Sequence, residues 1–327
     1  MIRFGTLGVA RISPAALVYP CMNELNAEIV AVGARDRNRA ERFAEAHHIR
    51  NVCDGYHEVI HHQDVNTIYN PLPISAHHEW TIKALKAGKH VLCEKSLACN
   101  AEEAEEMSAL ASEKELVLMD AFHYRYHPLF SRVKDIYQSG ILGSIRSIEA
   151  AFHVPVTRGD DIRLRYETGG GVTMDIGCYP ISWVRHMTDQ EPVVVSARAE
   201  VGPKNVDLLL EADMELEGIQ VRTSGDMRPS AKFNAKLKVV GEGGILSVKN
   251  VIAPQFGSKL ALSADGKSTD ETFNRRPTYA YQLDSFIAAV EQGKPIATDG
   301  EDAVKQMRLI DACYEAAGLP RRGLLIK

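Results

Sequence analysis

The chain has 327 residues, 45% hydrophobic and 25% charged, with no Pro/Gly/Ser-rich tract, a globular composition long enough for two cores. Its formal net charge is −5 with lysines and arginines scattered, so no basic stripe marks a nucleic-acid surface. No apolar run nears the roughly 20 residues that span a bilayer, and MIRFGTLGVA lacks the flank and cleavage site of a signal peptide, so neither membrane insertion nor export is expected.

From the amino terminus, Ile2–Leu7 predicts a strand and Pro14–Met22 a helix, with Ser13 as N-cap and Pro14 at the first helical position. Glu28–Gly33 predicts a second strand and Arg37–Ala46 a charged helix. Thr67–Asn70, His90–Cys93 and Leu116–Met119 predict further strands, with helices at Glu79–Lys86 and Ala101–Lys114. Strand and helix alternating across short connections imply right-handed crossovers and a doubly wound parallel sheet. After Asp120 the pattern changes. A helix at Leu129–Ser139 precedes strands of two-residue alternation at Ser144–Phe152, Val193–Val201, Leu208–Glu215, Ile219–Ser224, Leu237–Val240 and Ile245–Val248. Helices are predicted at Val172–Met187, Tyr279–Gln292 and Asp302–Ala317, and short turns such as Glu217-Gly218 favour antiparallel pairing. The fold class is therefore α/β. A doubly wound domain of the Rossmann type spans residues 1–120, and an α+β domain with a large open, mostly antiparallel sheet spans 121–327. The six cysteines (Cys21, Cys53, Cys93, Cys99, Cys178 and Cys313) show no zinc or redox spacing and read as buried thiols, which makes the cytoplasm the expected location.

Gly8-Val9-Ala10-Arg11-Ile12-Ser13 follows the first strand directly and opens a helix. This is the position of the dinucleotide fingerprint, where small residues let the backbone approach a pyrophosphate at a helix N-terminus. Gly8 supplies the tight turn, while Ala10 and Ser13 stand in for the other glycines. Gly8, Ala10, Arg11 and Ile12 are thus candidate cofactor contacts; a tight turn with no ligand is the plainer alternative. At the end of the second strand a carboxylate suits the ribose of NAD, and an arginine suits the 2′-phosphate of NADP. Ala34 is expected to face the ribose with Arg35 after it, which favours NADP, while nearby Asp36 leaves NAD open.

The run Ala87–Ser96 (AGKHVLCEKS) ends a strand in Glu94-Lys95. Ligands of open α/β sheets bind outside the carboxyl ends of the strands, so Lys95 is placed to hold a substrate hydroxyl or to favour ionisation of a neighbouring acid. An ordinary surface pair is the alternative. Asp175 and Tyr179, spaced i, i+4, share a helical face, and the preceding Gly169–Gly171 reads as a flexible, close-approach entrance. Alone, Tyr179 reads as a half-buried core aromatic and Asp175 as an acid complementing a helix dipole.

Further runs are Asn70-Pro71-Leu72-Pro73 with His77 after it, Phe122–Pro128 (FHYRYHP) and Gly169–Pro180 (GGGVTMDIGCYP). With the phosphate turn, Ala34-Arg35-Asp36 and AGKHVLCEKS, the chain resembles the Gfo/Idh/MocA oxidoreductase family over nearly its whole length, in particular the glucose–fructose oxidoreductase and dimeric dihydrodiol dehydrogenase branch. It departs at Ser96, where the family usually has Pro, and at Ile74, where Asn is common. The resemblance implies a Rossmann domain, an open-faced sheet domain, an active site in the cleft between them, and assembly as a homodimer or homotetramer. It also implies that Lys95 is the catalytic lysine of the EKP-type motif, that Tyr179 is the acid/base where many relatives carry His, and that Asp175 contacts substrate. Pro71, Leu72, His77, Glu94, Lys95 and Arg125 join the cofactor-binding candidates, although His77 also suits a capping role and Arg125 a structural ion pair. Arg163 is a candidate substrate contact. The implied reaction moves a hydride between NADP, or NAD, and a CH–OH/C=O group of a sugar, polyol or dihydrodiol-like molecule.

Three rivals have residues of their own to answer for. His57-Glu58-Val59-Ile60-His61 has the HExxH form of zinc hydrolases, but histidines crowd this region and the spacing is read as chance, so no metal is expected. A non-catalytic dinucleotide-binding sensor of the same fold would need neither Lys95 nor Tyr179. A glycosidase using hydride transfer transiently would leave nicotinamide absorbance unchanged.

Overall fold

A computed structural model describes residues 1–23, 26–202 and 204–323. The chain forms two compact units, one of Met1–His123 with Tyr279–Val304, the other of Tyr124–Thr278 with the segment from Lys305 onward. A division at residues 120/121 thus lies close to the first junction, but the segment Tyr279–Val304 returns to the first unit. The reason is local. Phe286 packs its ring on Phe4 (centroids 5.9 Å apart), and Asp120 exchanges hydrogen bonds with Thr298, giving its N–H to the Thr298 carbonyl (2.9 Å) and accepting Thr298 Oγ1 at its own (2.7 Å). Helical periodicity does not say which sheet a helix covers.

The first unit is built on six strands: β1 (Ile2–Leu7), β2 (Ala27–Gly33), β3 (Asn51–Cys53), β4 (Thr67–Asn70), β5 (His90–Cys93) and β6 (Leu118–Asp120). Their order is β3-β2-β1-β4-β5-β6 and every pairing is parallel, the Rossmann arrangement. β1, β4 and β5 are buried almost throughout, as strands covered on both faces must be. Only three residues long, β3 escapes sequence patterning. The helix after β1 opens with a π-turn, Pro14–Val18, before an α-turn, Tyr19–Met22. Ser13 does not cap it: its backbone is already helical (φ −52°, ψ −39°), and its hydroxyl makes no cap bond.

The second unit holds eight strands: β7 (Ile145–His153), β8 (Val193–Val201), β9 (Asp207–Leu216), β10 (Ile219–Asp226), β11 (Asn234–Gly241), β12 (Gly244–Lys249), β13 (Lys259–Ala264) and β14 (Lys267–Glu271). They run in the order β14-β13-β12-β11-β7-β10-β9-β8, antiparallel except where β7 meets β10. Alternating burial along β9 to β12 leaves one face covered and one open. On the open side, cross-strand partners carry opposite charges, Arg222 against Asp213 and Arg198 against Glu211. The covered face receives the helix Cys178–Thr188, whose eleven residues are all buried and which lies on β7 and β10. β13 and β14 lie beyond the predicted strands; the polar KSTDE of β14 has no apolar alternation to reveal it. Among the described residues no helix is long and apolar enough to cross a membrane, and all six cysteine side chains are buried.

Candidate active site

In the first unit the candidate residues gather at the carboxyl ends of β1, β2, β4 and β5. Gly8 closes β1 with φ +85° and gives its N–H to the Gly33 carbonyl at 2.6 Å. A side chain there would be strained and would press Leu72 Cδ2 at 3.3 Å. Arg11 and Ile12 are exposed on the turn that follows. Ser13 is buried, and its hydroxyl has no hydrogen-bond partner among the described residues. A positive-φ glycine, a small Ala10 and an orphaned hydroxyl at a helix start fit an anionic phosphate group.

Arg35 stands exposed after β2, while Asp36 caps the helix Arg37–His47 by accepting the Arg39 N–H. Arg37 pairs with Asp54 and with Glu41. Arg39 reaches back to the Val9 carbonyl at 3.4 Å.

After β4, Pro71 is buried and Leu72 half-buried. His77 is 1% exposed, with Nδ1 2.9 Å from the Ser96 carbonyl oxygen and Nε2 2.7 Å from that of Leu72. The ring therefore braces the loops after β4 and β5 from inside. Burial lowers its pKa to about 4 against the pull of those carbonyls, and Lys95 adds to the lowering. His77 works on the Ser96 carbonyl, not its side chain, so Ser in place of Pro costs no acceptor. The Lys95–Ser96 peptide is cis.

Glu94 is buried and accepts the Tyr69 hydroxyl at 2.8 Å. Lys95, half-buried, acts electrostatically on three groups that sequence reasoning did not single out or placed differently: His77, His123 and Asp120. Burial, with Lys95 adding to it, lowers His123 to about 3. Burial, reinforced by Asp302 and Glu94 and opposed by Lys95, pushes the Asp120 carboxyl well above the usual range. Asp120 ends β6 just as Lys95 follows β5, so the rule of strand carboxyl ends could have found it. Tyr69, inside a predicted strand, gave no such signal.

In the second unit, Asp175 lies in a π-turn, Thr173–Gly177, that leads into the helix bearing Tyr179. The continuous α-helix expected over Val172–Met187 is thus widened at the residue of interest, a feature frequent at functional sites. Arg163 Nε contacts Asp175 Oδ2 at 2.5 Å and Nη1 lies 3.6 Å from Asp161. Asp175 first, then Asp161 and Tyr179, raise the Arg163 pKa against burial, so Asp175 and Tyr179 act on one guanidinium. Tyr179 is 6% exposed and meets Phe152 and Tyr124 edge to face. The Gly run is strapped, not flexible: Gly170 donates to the Arg165 carbonyl (3.0 Å) and Gly171 to that of Arg163 (2.9 Å). Arg125 lies over the Phe130 ring at 5.5 Å, its Nε buried without a hydrogen-bond partner among the described residues.

At the HExxH run, His57 and His61 stack on each other (centroids 4.1 Å) and Glu58 accepts the Asp54 N–H. Among the described residues no group of three or more metal-binding side chains gathers.

A Rossmann sheet with a phosphate-type turn, joined in one chain to an open eight-stranded sheet unit, defines a dinucleotide-dependent oxidoreductase of two domains. Comparison with known proteins narrows this. Residues 2–122 match the oxidoreductase family with NAD-binding Rossmann fold, GFO_IDH_MocA, and residues 130–247 match the GFO/IDH/MocA C-terminal domain. The chain belongs to this family. It is 30% identical to D-xylose 1-dehydrogenase (NADP(+)) 2 of Haloferax volcanii, covering 96% of this chain and 97% of the relative. It is 38% identical to a dTDP-3,4-didehydro-2,6-dideoxy-alpha-D-glucose 3-reductase of Streptomyces antibioticus, covering 97% of each. A 3-ketoreductase from Actinomadura kijaniata, solved with NADP and TDP-benzene, superposes with TM-score 0.89 at 28% identity over 95% of this chain and 96% of that one.

Proposed function

We propose that the protein is an NADP-dependent oxidoreductase that interconverts a hydroxyl and a carbonyl on a sugar, with Lys95 and Tyr179 as the proton-transfer pair. One observation carries the reading: Tyr179 and Asp175 act on a single arginine, beside a buried aromatic wall, in a chain that also holds a half-buried lysine beyond β5. The named relatives, a xylose dehydrogenase and a ketosugar reductase, support the substrate class.

NADP, when bound, supplies or accepts the hydride at its nicotinamide ring. Gly8, Ala10 and the Ser13 hydroxyl would hold its pyrophosphate, with Arg11 and Ile12 on the same turn. Arg35 would meet its 2′-phosphate, since the nearby carboxylate of Asp36 is committed to a helix cap. Pro71, Leu72, Glu94 and Arg125 would be the remaining contacts, and His77 would act by holding the loops in which Leu72 and Lys95 lie. In reduction, Tyr179 gives its phenolic proton to the carbonyl oxygen as charge builds there; in oxidation it takes one. Positioned transfer of this kind contributes roughly 10²–10⁴ in rate. Cations favour the ionised form of a neighbouring phenol, the role assigned to Lys95 and Arg163. Asp175 and Arg163 then hold neighbouring substrate hydroxyls. The exposed Val193 and Val195 on β8 support assembly into a homodimer or homotetramer.

The test is a panel of aldoses, ketosugars and nucleotide-linked sugars, run separately with NADP and NAD, on the parent and on Tyr179→Phe. Turnover is expected with NADP, and the variant loses at least about tenfold in kcat with cofactor affinity retained. Cofactor binding without turnover of any panel member would replace this reading with a sensor.

A further inference from the structure

The Gly169–Gly171 run passes a buried ion pair. Asp207, at the start of β9, and Arg322 have side chains 0% and 1% exposed and meet at 2.5 Å. The carboxylate is fully subscribed. Its Oδ1 accepts from Arg322 Nη2 and from the Tyr314 hydroxyl (3.1 Å), and its Oδ2 accepts the Thr173 N–H (2.8 Å) and Thr173 Oγ1 (2.5 Å). Arg322 Nε donates to the Gly170 carbonyl at 2.9 Å, and the guanidinium lies over the rings of Tyr166 and Tyr314 at 4.7 and 4.4 Å. The pair thus grips the chain on both sides of Gly171. That residue has φ +135°, and a Cβ on it would collide with Asp207 Oδ1 and come within 2.8 Å of Arg322 Nη2. Only glycine passes here, and the reason is the pair, not a ligand.

Buried ion pairs contribute little net stability over a well-packed apolar alternative, so their presence asks for another reason. Here the backbone they fix continues directly into the π-turn, where the Gly171 carbonyl accepts the Asp175 N–H at 3.2 Å. We propose that Asp207 and Arg322 are positioning residues of the reaction, locking the Gly170–Thr173 backbone that leads into the π-turn and so setting the place of the Tyr179 phenol on the helix that follows. This rests on the role given to Tyr179.

The experiment compares Asp207→Asn and Gly171→Ala with Val248→Ala, a fully buried β12 position remote in sequence from the Gly run, as a control for general destabilisation. The substrate is the fastest sugar of the panel above. Displacing reacting groups by about 1 Å costs on the order of 10²-fold, so both site variants should lose at least about tenfold in kcat while the NADP KM stays within about twofold. In a Tyr179→Phe background, Asp207→Asn should cost less than about twofold more, because both act through one phenol. Thr173→Val, which removes one of four donors and keeps the charges, is the milder variant should Asp207→Asn not fold, and should show the same pattern at smaller size. Incorporated 3-fluorotyrosine gives a readout independent of turnover: the Tyr179 resonance, assigned by its loss in Tyr179→Phe, shifts or broadens in the site variants and not in Val248→Ala. An undisturbed resonance, an unchanged kcat, or a loss of the same size in the Tyr179→Phe background overturns the proposal. Unchanged turnover in Tyr179→Phe itself would instead remove Tyr179 from its role, and the resonance alone would then report on the grip of the pair.

Discussion

His123 offers a quantitative test of the charge distribution around Lys95. The residue is 4% exposed, packs its ring at a tilt of 35° against Tyr279 with centroids 4.0 Å apart, and has its pKa lowered by burial to about 3. In the unfolded chain a histidine titrates near 6.5. Below that value the unfolded state therefore holds a proton that the folded state lacks, so stability is complete above pH 6.5 and falls as the pH drops towards 3. Between pH 7 and pH 5 the loss integrates to about 2 kcal/mol for His123, and to about 2 kcal/mol more for His77 with its folded value near 4. Asp120 works in the opposite sense. Its folded value is raised above 3.8, so the folded state keeps a proton that the unfolded state has released, which flattens the slope. The substitution that isolates one term is His123→Phe, which keeps an aromatic ring on Tyr279. Urea unfolding of parent and variant at pH 7 and pH 5 should show the parent losing about 2 kcal/mol more across that interval, whatever the packing cost at either pH. Equal losses in the two proteins would mean that the folded imidazole titrates normally, and the reasoning would fail.

Two further substitutions address the cofactor site and its support. Arg35→Ala should weaken NADP about 10- to 100-fold and leave NAD within about twofold, since a charge-assisted phosphate contact is worth about 1.5–3 kcal/mol; titration by nicotinamide fluorescence measures both. Tyr69→Phe removes a buried 2.8 Å hydrogen bond to Glu94 and should lower stability by about 1.5–3 kcal/mol, a drop of several degrees in Tm by calorimetry; a Tm within one degree or so of the parent would deny that bond its weight.

The parallel unit was legible because β1, β2, β4 and β5 are short apolar runs punctuated by amphipathic helices, and that pattern admits few topologies. Lys95, Asp175 and Tyr179 stood out from motif runs as candidates, and the structure sets Asp175 against Arg163. What was hidden depends on separation or on local geometry. Arg163 reaches Asp175 from a single 3₁₀ turn, Ile162–Leu164, too short to show periodicity, and Arg322 meets Asp207 across 115 residues. The two π-turns follow apolar spacing that looks like ordinary helix, so Ser13 was read as a cap when it is already inside the helical backbone. Gly169–Gly171 was read as a flexible, close-approach entrance to the helix, because sequence shows that small residues stand there, not that Asp207 and Arg322 exclude a side chain at 171.

The two units handle charge in different ways, and the difference bears on the acid limb of activity. Arg163 is paired with Asp175 and Asp161 at close range, and Tyr179 also acts on its charge. Around Lys95, burial pushes His77, His123 and Asp120 towards their uncharged forms, which leaves the ammonium little opposed by like charge. Protonating either imidazole would set a second buried cation beside it. The folded state resists this down to about pH 4, below the range in which the unfolded state has already taken up both protons. Activity should accordingly fall in acid along with the unfolding transition, and not along a histidine titration near 6.5. A kcat profile that bends near pH 6.5 while the fold is intact would place a titrating imidazole in the reaction, which neither buried ring is built to supply.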